Sequence, residues 1–388
     1  MNLNEPIVQS FDVTYKYKLY FTKHLFSIEN NLFHSILEAY KPQEATKVFF
    51  VMDQGVHQHH PELIKQIKSY CNAYSYNIKF TDLIVVPGGE QSKNSSDLID
   101  TVLEGIDKNK ICRHSFVVAI GGGAVIDMVG YAAAIAHRGV KLIRIPTTIL
   151  SQNDSAVGVK NSINLLGKKN FLGSFATAHA IINDSVFLDT LEDRDWISGI
   201  AEAIKVALVR DKQFYKFIAD NAQALFNRDH TCMQHLIYRC AQLHMEHIAQ
   251  GGDPFESGSS RPLDFGHWAA HKLEYMTNFQ LRHGEAVAIG MAIDLTYAHL
   301  FGFIDLSTLK SILKVIEDVG FNLDVPIRSE EELQELLSGI EEFREHLGGQ
   351  LTITLISEIG SINDVNTIDM DKMKQAIKLL PTLLKEND

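Results

Sequence analysis

Apolar positions change their pattern near residue 195. Before it they form short continuous runs, KVFFVM (47–52), SFVVAI (115–120) and KLIRIP (141–146), which alternate with stretches of helical period at 60–74, 92–107 and 124–136. Continuous apolar strands separated by helices predict a parallel sheet covered on both faces. Ahead of them, FDVTYKYKLYFT (11–22) sets Val13, Tyr15, Tyr17 and Leu19 at period two. That alternation predicts a half-buried antiparallel strand or hairpin. Farther along, segments 196–208, 213–226, 232–249, 266–277, 284–301, 308–319 and 329–343 have helical spacing, and LTITLI (351–356) reads as a late strand. The organisation expected is an α/β domain with a parallel sheet over 1–190, followed by a mostly α-helical domain over 191–388. The acidic run SEEELQELLSGIEEF (329–343) reads as a solvated helix face.

Composition narrows the function classes. The 388 residues include 45% hydrophobic and 22% charged positions, an ordinary globular balance. Lys and Arg number 36 against 48 Asp and Glu, a net charge of −12 without a basic block, which argues against nucleic-acid partners. Cys71, Cys112, Cys232 and Cys240 form no CxxC pair and read as reduced thiols of a cytoplasmic protein. The start, MNLNEPIVQSFDV, has no basic region followed by an apolar one, and no apolar run reaches 18 residues, so neither a signal peptide nor a membrane partner is expected.

Candidate chemistry begins at Gly121-Gly122-Gly123, where strand 115–120 runs into a helix that carries Asp127. Glycines at such a turn let backbone N–H groups approach a phosphate, and the helix start adds partial positive charge. A tight turn without ligand needs the same glycines. The spacing is also not GxGxxG, and the strand is the third of the sheet, so a plain Rossmann domain is not the best reading. Asp53 after the first parallel strand could accept a ribose hydroxyl. Pro87-Gly88-Gly89-Glu90-Gln91-Ser92-Lys93 opens another helix, and Pro146-Thr147-Thr148 ends the next strand with two hydroxyls. Each could be plain turn or capping chemistry. Together they line the carboxyl ends of successive strands, where open α/β sheets bind ligands.

A second group lies in the helical half. Gly266-His267-Trp268-Ala269-Ala270-His271 places two histidines four apart, on one helix face. His283 precedes another apolar helix, and Glu202 and Lys205 in AEAIK share a face. Two histidines and a glutamate make a three-ligand zinc site with open positions for substrate oxygens. With 17 histidines in the chain, spacing alone does not show that these segments meet.

In this order, PGGEQSK, GGGAVID, PTT, Asp154…Lys160…Lys169-Asn170, AEAIK, GHWAAH and HGEAV resemble the 3-dehydroquinate synthase-like sugar phosphate cyclases over about residues 45–305. Iron-type polyol dehydrogenases share the architecture, but AEAIK and the Lys160/Lys169-Asn170 pair favour the cyclases. The resemblance implies zinc (or cobalt) on Glu202, His267 and His283. It implies NAD on Asp53, Glu90, Lys93, Gly122, Gly123, Asp127, Thr147, Thr148, Lys169 and Thr190. The sugar phosphate would meet Asp154, Lys160, Lys169, Asn170, Lys205, Arg261 and His271. Arg138 would reach the phosphate in a neighbouring subunit, which implies a homodimer. The implied reaction oxidises a heptulose 7-phosphate hydroxyl transiently, eliminates phosphate, returns the hydride and closes a carbocycle by an aldol step.

Departures from the dehydroquinate synthase pattern bear on the substrate. Asp264 stands where that pattern has asparagine, three residues before His267. Arg261 is displaced by one position in Asp253–Arg261. Glu246 falls at a lysine position, and His346-Leu347-Gly348-Gly349-Gln350 lacks the lysines of a phosphate-binding segment. Less positive charge fits a substrate with one anionic group fewer, and sedoheptulose 7-phosphate carries a hydroxymethyl group in place of a carboxylate. RPLDFGHWAAHKLE also resembles the divergent cyclases of Ebo (EboD-type) clusters. His271 departs from the proline of 2-epi-5-epi-valiolone synthases, while a 2-epi-valiolone-type synthase stays open. The alternatives are authentic 3-dehydroquinate synthase, a metal-dependent polyol dehydrogenase, and a non-catalytic NAD-binding protein, the last disfavoured by the intact Glu202, Lys205, His267, His271 and His283 set.

Overall fold

The computed structural model describes residues 6–166, 168–251, 255 and 262–385. Six strands form one parallel sheet: β1 (Leu19–Thr22), β2 (Thr46–Asp53), β3 (Ile78–Val86), β4 (Phe116–Gly121), β5 (Lys141–Pro146) and, beyond a separate antiparallel hairpin of β6 (Lys160–Leu165) and β7 (Lys168–Phe175), β8 (Ala180–Asp184). The order across the sheet is β1-β8-β5-β4-β2-β3. The unbroken apolar runs follow from cover on both faces. Val48, Phe50, Met52, Phe116, Val118 and Ile120 enter one core. Their alternates Phe49, Val51, Val117 and Ala119 enter the other.

The expected antiparallel strand over 11–22 is not formed. Only Leu19–Thr22 is a strand, and it pairs in parallel with β8, Leu19 opposite Ile181. Val13 and Tyr15 stay 60% and 53% exposed. Tyr17 and Leu19 pack against the core beside the sheet while Val13 and Tyr15 lie mostly in solvent, so the period-two spacing marks one partly covered face without a strand ladder ahead of Leu19. The apolar pattern also does not pick out the β6–β7 hairpin, because β7 is mostly exposed along its length.

From Asp193 onward the chain is largely helical, and its apolar residues form one core that runs from Trp196 to Leu383. The helix His283–Leu300 is buried on all sides from Ala286 to Ala298, as an apolar helix without a polar face must be. The late strand is β9 (Ile353–Glu358), and it pairs antiparallel with β10 (Ser361–Val365). A final helix, Met370–Lys385, follows. Among the described residues no helix is long and apolar enough to cross a membrane. All four cysteines are free.

Candidate active site

Turns after β2, β3, β4 and β5 meet at the carboxyl edge of the sheet. Asp53 ends β2, and its Oδ1 accepts the Gly55 N–H at 2.7 Å. A Cβ at Gly88 would lie 2.4 Å from that same oxygen, and one at Gly121 would lie 3.0 Å from the Asp53 Cβ, so both glycine turns close on this residue. Burial pushes the Asp53 carboxyl up, against the amides of Gly55, Val56 and Gly122. Gly122 caps the helix Gly123–Ile135, and a Cβ there would meet nothing closer than Thr148 Cγ2 at 3.5 Å. The first turn of that helix therefore lies open on this side, the arrangement that suits a phosphate. On the other side a Cβ at Gly123 would come 2.5 Å from Ser155 Oγ. Thr147 donates its N–H to Gly121 O at 3.0 Å, and the Thr148 hydroxyl meets Ser151 Oγ at 2.8 Å. Thr190 Oγ1 lies 2.9 Å from His60 Nε2.

The hairpin ties the remaining polar residues of this edge together. Buried Lys93 donates to Asp127 Oδ2 at 2.8 Å, to Ser162 Oγ at 3.3 Å and to Asn170 Oδ1. Asn164 donates to Glu90 Oε1 at 3.0 Å and accepts the Asn170 N–H at 2.8 Å. Ser162 and Asn164 thus contact the candidate residues Lys93, Glu90 and Asn170, and no motif announces them.

The second group assembles on three helices. Glu202 and Lys205 lie in the first turns of Ile200–Arg210, 0% and 3% exposed, and form an ion pair. His267 begins His267–Met276, and His283 begins His283–Leu300. Their Nε2 atoms lie 3.5 and 3.6 Å from Glu202 Oε1. One ligand atom from each of Glu202, His267 and His283 falls within 4.8 Å of the others. The close approach of the two histidine helices depends on glycine. Gly266 has φ +78°, and a Cβ at Gly290 would stand 2.0 Å from Gly266 O. Asp294, fully buried, accepts the Gly266 N–H at 3.0 Å and the Trp268 Nε1–H at 2.8 Å, which anchors the start of the His267 helix. Burial pushes its carboxyl up to about 7, with those two bonds opposing.

Burial is the largest influence on the ionisation of these groups. It lowers His267 well below the ordinary histidine range, helped by Lys205, His283 and His271. It acts the same way on His283, but the Glu274 and Glu202 carboxylates reverse it and raise that group to about 9. A metal ion needs the neutral ring and would displace that proton. Burial works against the Lys205 ammonium as well, yet Glu202 and Asp154 hold it charged. Asp154 Oδ1 lies 2.8 Å from His244 Nδ1, and despite burial that imidazole, with Lys205 and His283, keeps the carboxyl well below its usual range.

The loop from Asp154 to Lys160 is held from beneath by Arg144. This wholly buried guanidinium donates to Ala156 O at 2.7 Å, Gly158 O at 2.6 Å and Asn161 Oδ1 at 2.6 Å. Lys160 is exposed at the start of β6. The His271 ring stands 5.4 Å from that of His267 and 6.1 Å from that of His283. Asp264, in the turn Pro262–Asp264, acts electrostatically on Lys205. Lys169 reaches Glu274 at 3.1 Å. Arg138 is exposed and lies beyond the far end of Gly123–Ile135. Those 13 helical residues set it about 20 Å from the glycine turn, at the opposite edge of its own sheet. Arg261 lies outside the described residues. His244, Arg144 and Asp294 carry no motif, whereas Glu274 does leave a signal, seven residues after His267 on the same helix face.

The sequence matches the family described as 3-dehydroquinate synthase N-terminal over residues 83–198, and the one described as 3-dehydroquinate synthase C-terminal over 199–342. A 3-dehydroquinate synthase of Dictyoglomus thermophilum is 32% identical over 334 residues, 81% of this chain and 92% of the relative. Among solved structures, 2-epi-5-epi-valiolone synthase from Streptomyces hygroscopicus subsp. jinggangensis, with NAD+ and Zn2+ bound, superimposes with TM-score 0.85 at 25% identity, covering 98% of this chain and 100% of that one. A 2-deoxy-scyllo-inosose synthase, complexed with carbaglucose-6-phosphate, NAD+ and Co2+, shares the fold at TM-score 0.77 and 21% identity, covering 92% of this chain and 95% of that one.

Proposed function

The chain belongs to the 3-dehydroquinate synthase family, and from that premise we propose that it is an NAD- and zinc-dependent sugar phosphate cyclase acting on sedoheptulose 7-phosphate. The observation that carries the cyclase reading is the Glu202–His267–His283 cluster, its first two members buried and His283 partly open, with the Lys205 ammonium on Glu202 and the Asp154–His244 pair beside it. The donor set suits zinc: two imidazoles and one carboxylate converge, and Glu202 Oε1 accepts no hydrogen bond among the described residues. The open first turn after Gly122, above Asp53, suits the pyrophosphate and ribose of NAD. The related valiolone synthase has both groups bound.

When bound, NAD takes and returns a hydride while zinc lowers the pKa of the substrate hydroxyl it holds. The chain's own residues do the rest. Glu90, Lys93, Asp127, Thr147, Thr148 and Thr190 hold the dinucleotide around the glycine turn. Lys205, kept charged by Glu202 and Asp154, stands ready for a developing oxyanion. Lys160, Lys169 and Asn170 receive the phosphate, which leaves with its electron pair once a ketone has acidified the neighbouring C–H. His271, one turn beyond His267, moves the proton, and Asp154 accepts a substrate hydroxyl. Arg138 completes the phosphate site of a second subunit, because the length of Gly123–Ile135 keeps it from its own. The enzyme is thus a homodimer in this reading, and it works in the cytoplasm.

Substrate choice rests on Asp264. Its charge reaches Lys205, so it stands near whatever that ammonium binds. A carboxylate there against a substrate carboxylate costs several kcal/mol or forces protonation. Toward a hydroxymethyl group it accepts a charge-assisted hydrogen bond worth about 1.5–3 kcal/mol. The test is incubation of purified protein with each heptulose phosphate, following phosphate release and product mass. A higher kcat/KM is expected for sedoheptulose 7-phosphate than for the 2-keto-3-deoxy acid phosphate. The second reading, authentic 3-dehydroquinate synthase, is favoured by the activity of its relatives. Turnover of the keto acid alone would establish it and refute the role given to Asp264.

A further inference from the structure

We propose that Glu274 is a positioning residue that sets the His283 imidazole and the Lys169 ammonium with one carboxylate, an inference that rests on the metal site proposed above. Glu274 follows His267 by seven residues and His271 by three, so all three share a face of His267–Met276. Its side chain is 6% exposed. A carboxylate so buried must be compensated, and both of its partners belong to the site. Oε2 lies 3.3 Å from His283 Nδ1, while Oε1 and Oε2 accept from Lys169 Nζ at 3.1 and 3.2 Å.

The first contact decides how the ring is used. With its proton on Nδ1 and pointed at Glu274, His283 turns the lone pair of Nε2 toward Glu202 Oε1, 3.6 Å away. His267 is arranged alike by a different partner. Its Nδ1 donates to Phe265 O at 3.2 Å, and its Nε2 faces the same Glu202 oxygen at 3.5 Å. One imidazole is thus oriented by a backbone carbonyl and the other by an anion. An anionic acceptor makes His283 the more electron-rich ligand.

The second contact leads to the hairpin. Lys169 neighbours Asn170, whose side chain takes the Lys93 ammonium that also binds Asp127. Glu274 therefore joins the helix that carries His267 to the strand that frames the dinucleotide edge. The carboxylate orients a ligand and holds a phosphate-binding cation, so its loss affects metal affinity and substrate affinity together.

The test compares wild-type holoenzyme with Glu274→Gln, Glu274→Asp and Lys169→Met. It uses zinc affinity by chelator competition, the visible spectrum of the cobalt(II) form, and KM for the sugar phosphate. Glu274→Gln should raise the zinc Kd about 10–100-fold, the usual range for removing a partner of a ligating histidine. It should also change the cobalt spectrum, which a merely structural ion pair would not do, and raise KM. Lys169→Met should raise KM while zinc Kd stays within about threefold, because His283 keeps its acceptor. If Glu274→Gln fails to fold, Glu274→Asp, too short to hold both partners, should still weaken zinc at least threefold. Zinc Kd within twofold and an unchanged cobalt spectrum in a folded Glu274 variant would overturn the proposal alone. A wild-type protein that takes up no zinc would instead overturn the metal site on which it rests.

Discussion

Replacing Gly290 by alanine should empty a metal site without touching a ligand. The added Cβ would lie 2.0 Å from Gly266 O and 2.9 Å from Gly266 C, both backbone atoms that cannot swing aside. A carbon–oxygen contact settles near 3.3 Å, so the helices must part by about 1.3 Å at this point. Gly266 immediately precedes His267, whose Nε2 is 3.5 Å from Glu202 Oε1. A displacement above 1 Å far exceeds the roughly 0.2 Å tolerance of a ligand set. Overpacking of this kind costs about 1–3 kcal/mol, which at about 2–4 °C per kcal/mol lowers Tm by about 2–12 °C. Zinc content after gel filtration and a melt followed by circular dichroism are the measurements. NAD affinity serves as the control, because the glycine turn at Gly121–Gly123 belongs to the sheet and should bind within about twofold of wild type. A Gly290→Ala protein with one zinc per chain and an unchanged melt would refute the argument that this contact sets the site.

His267→Ala should abolish turnover and reduce metal to well under one per subunit, as read by elemental analysis; full occupancy would remove His267 from the ligand set. Turnover should need only catalytic NAD with no rise at 340 nm, and Asp127→Ala should weaken NAD binding; stoichiometric NADH would mark a dehydrogenase instead. Mixing Arg138→Ala and Lys205→Ala chains should restore part of the activity in hybrid dimers, and verified hybrids without activity would return Arg138 to its own subunit or to no site. Asp264→Asn should narrow the preference for sedoheptulose 7-phosphate about tenfold or more, equivalent to about 1.4 kcal/mol. The Asp294 carboxyl is raised to about 7 from an ordinary value near 4. The unfolded chain therefore loses this proton first, and stability should fall as pH rises from about 4 to 7, then level off. Chemical denaturation of Asp294→Asn across that window should lack this decline, and parallel curves would contradict the assignment.

Strands β2 and β4 are readable in the sequence because burial on both faces leaves no polar residue in the middle of either run, and in β5 Arg144 alone breaks the apolar middle. The segment at 11–22 misleads for a related reason. Alternation reports one covered face but neither the covering surface nor the strand direction, and here β1 is short and parallel to β8. Side-chain types mark Glu202, His267 and His283 as ligand candidates. Their meeting depends on Gly266 against Gly290, a contact between helices 24 residues apart that no local spacing encodes. Arg144 and Arg138 look alike as isolated arginines. Only the fold buries the first beneath the Asp154–Lys160 loop and leaves the second exposed at the far end of a helix. His244 is hidden for the same reason, since its partner Asp154 is 90 residues away.

The Glu202–Lys205 pair bears on the metal site proposed above. A carboxylate at 0% exposure would be costly to bury alone, and in many small metal domains the ion itself supplies the compensation, so that chelation unfolds them. Here an ammonium one helical turn away already supplies it, and the large apolar core around both residues does not depend on a ligand set. At that proposed metal site, zinc would therefore be an exchangeable resident rather than a staple. The proposed site thus predicts a chain that folds without its ion, loads a divalent cation afterwards, and keeps its shape when a chelator strips it.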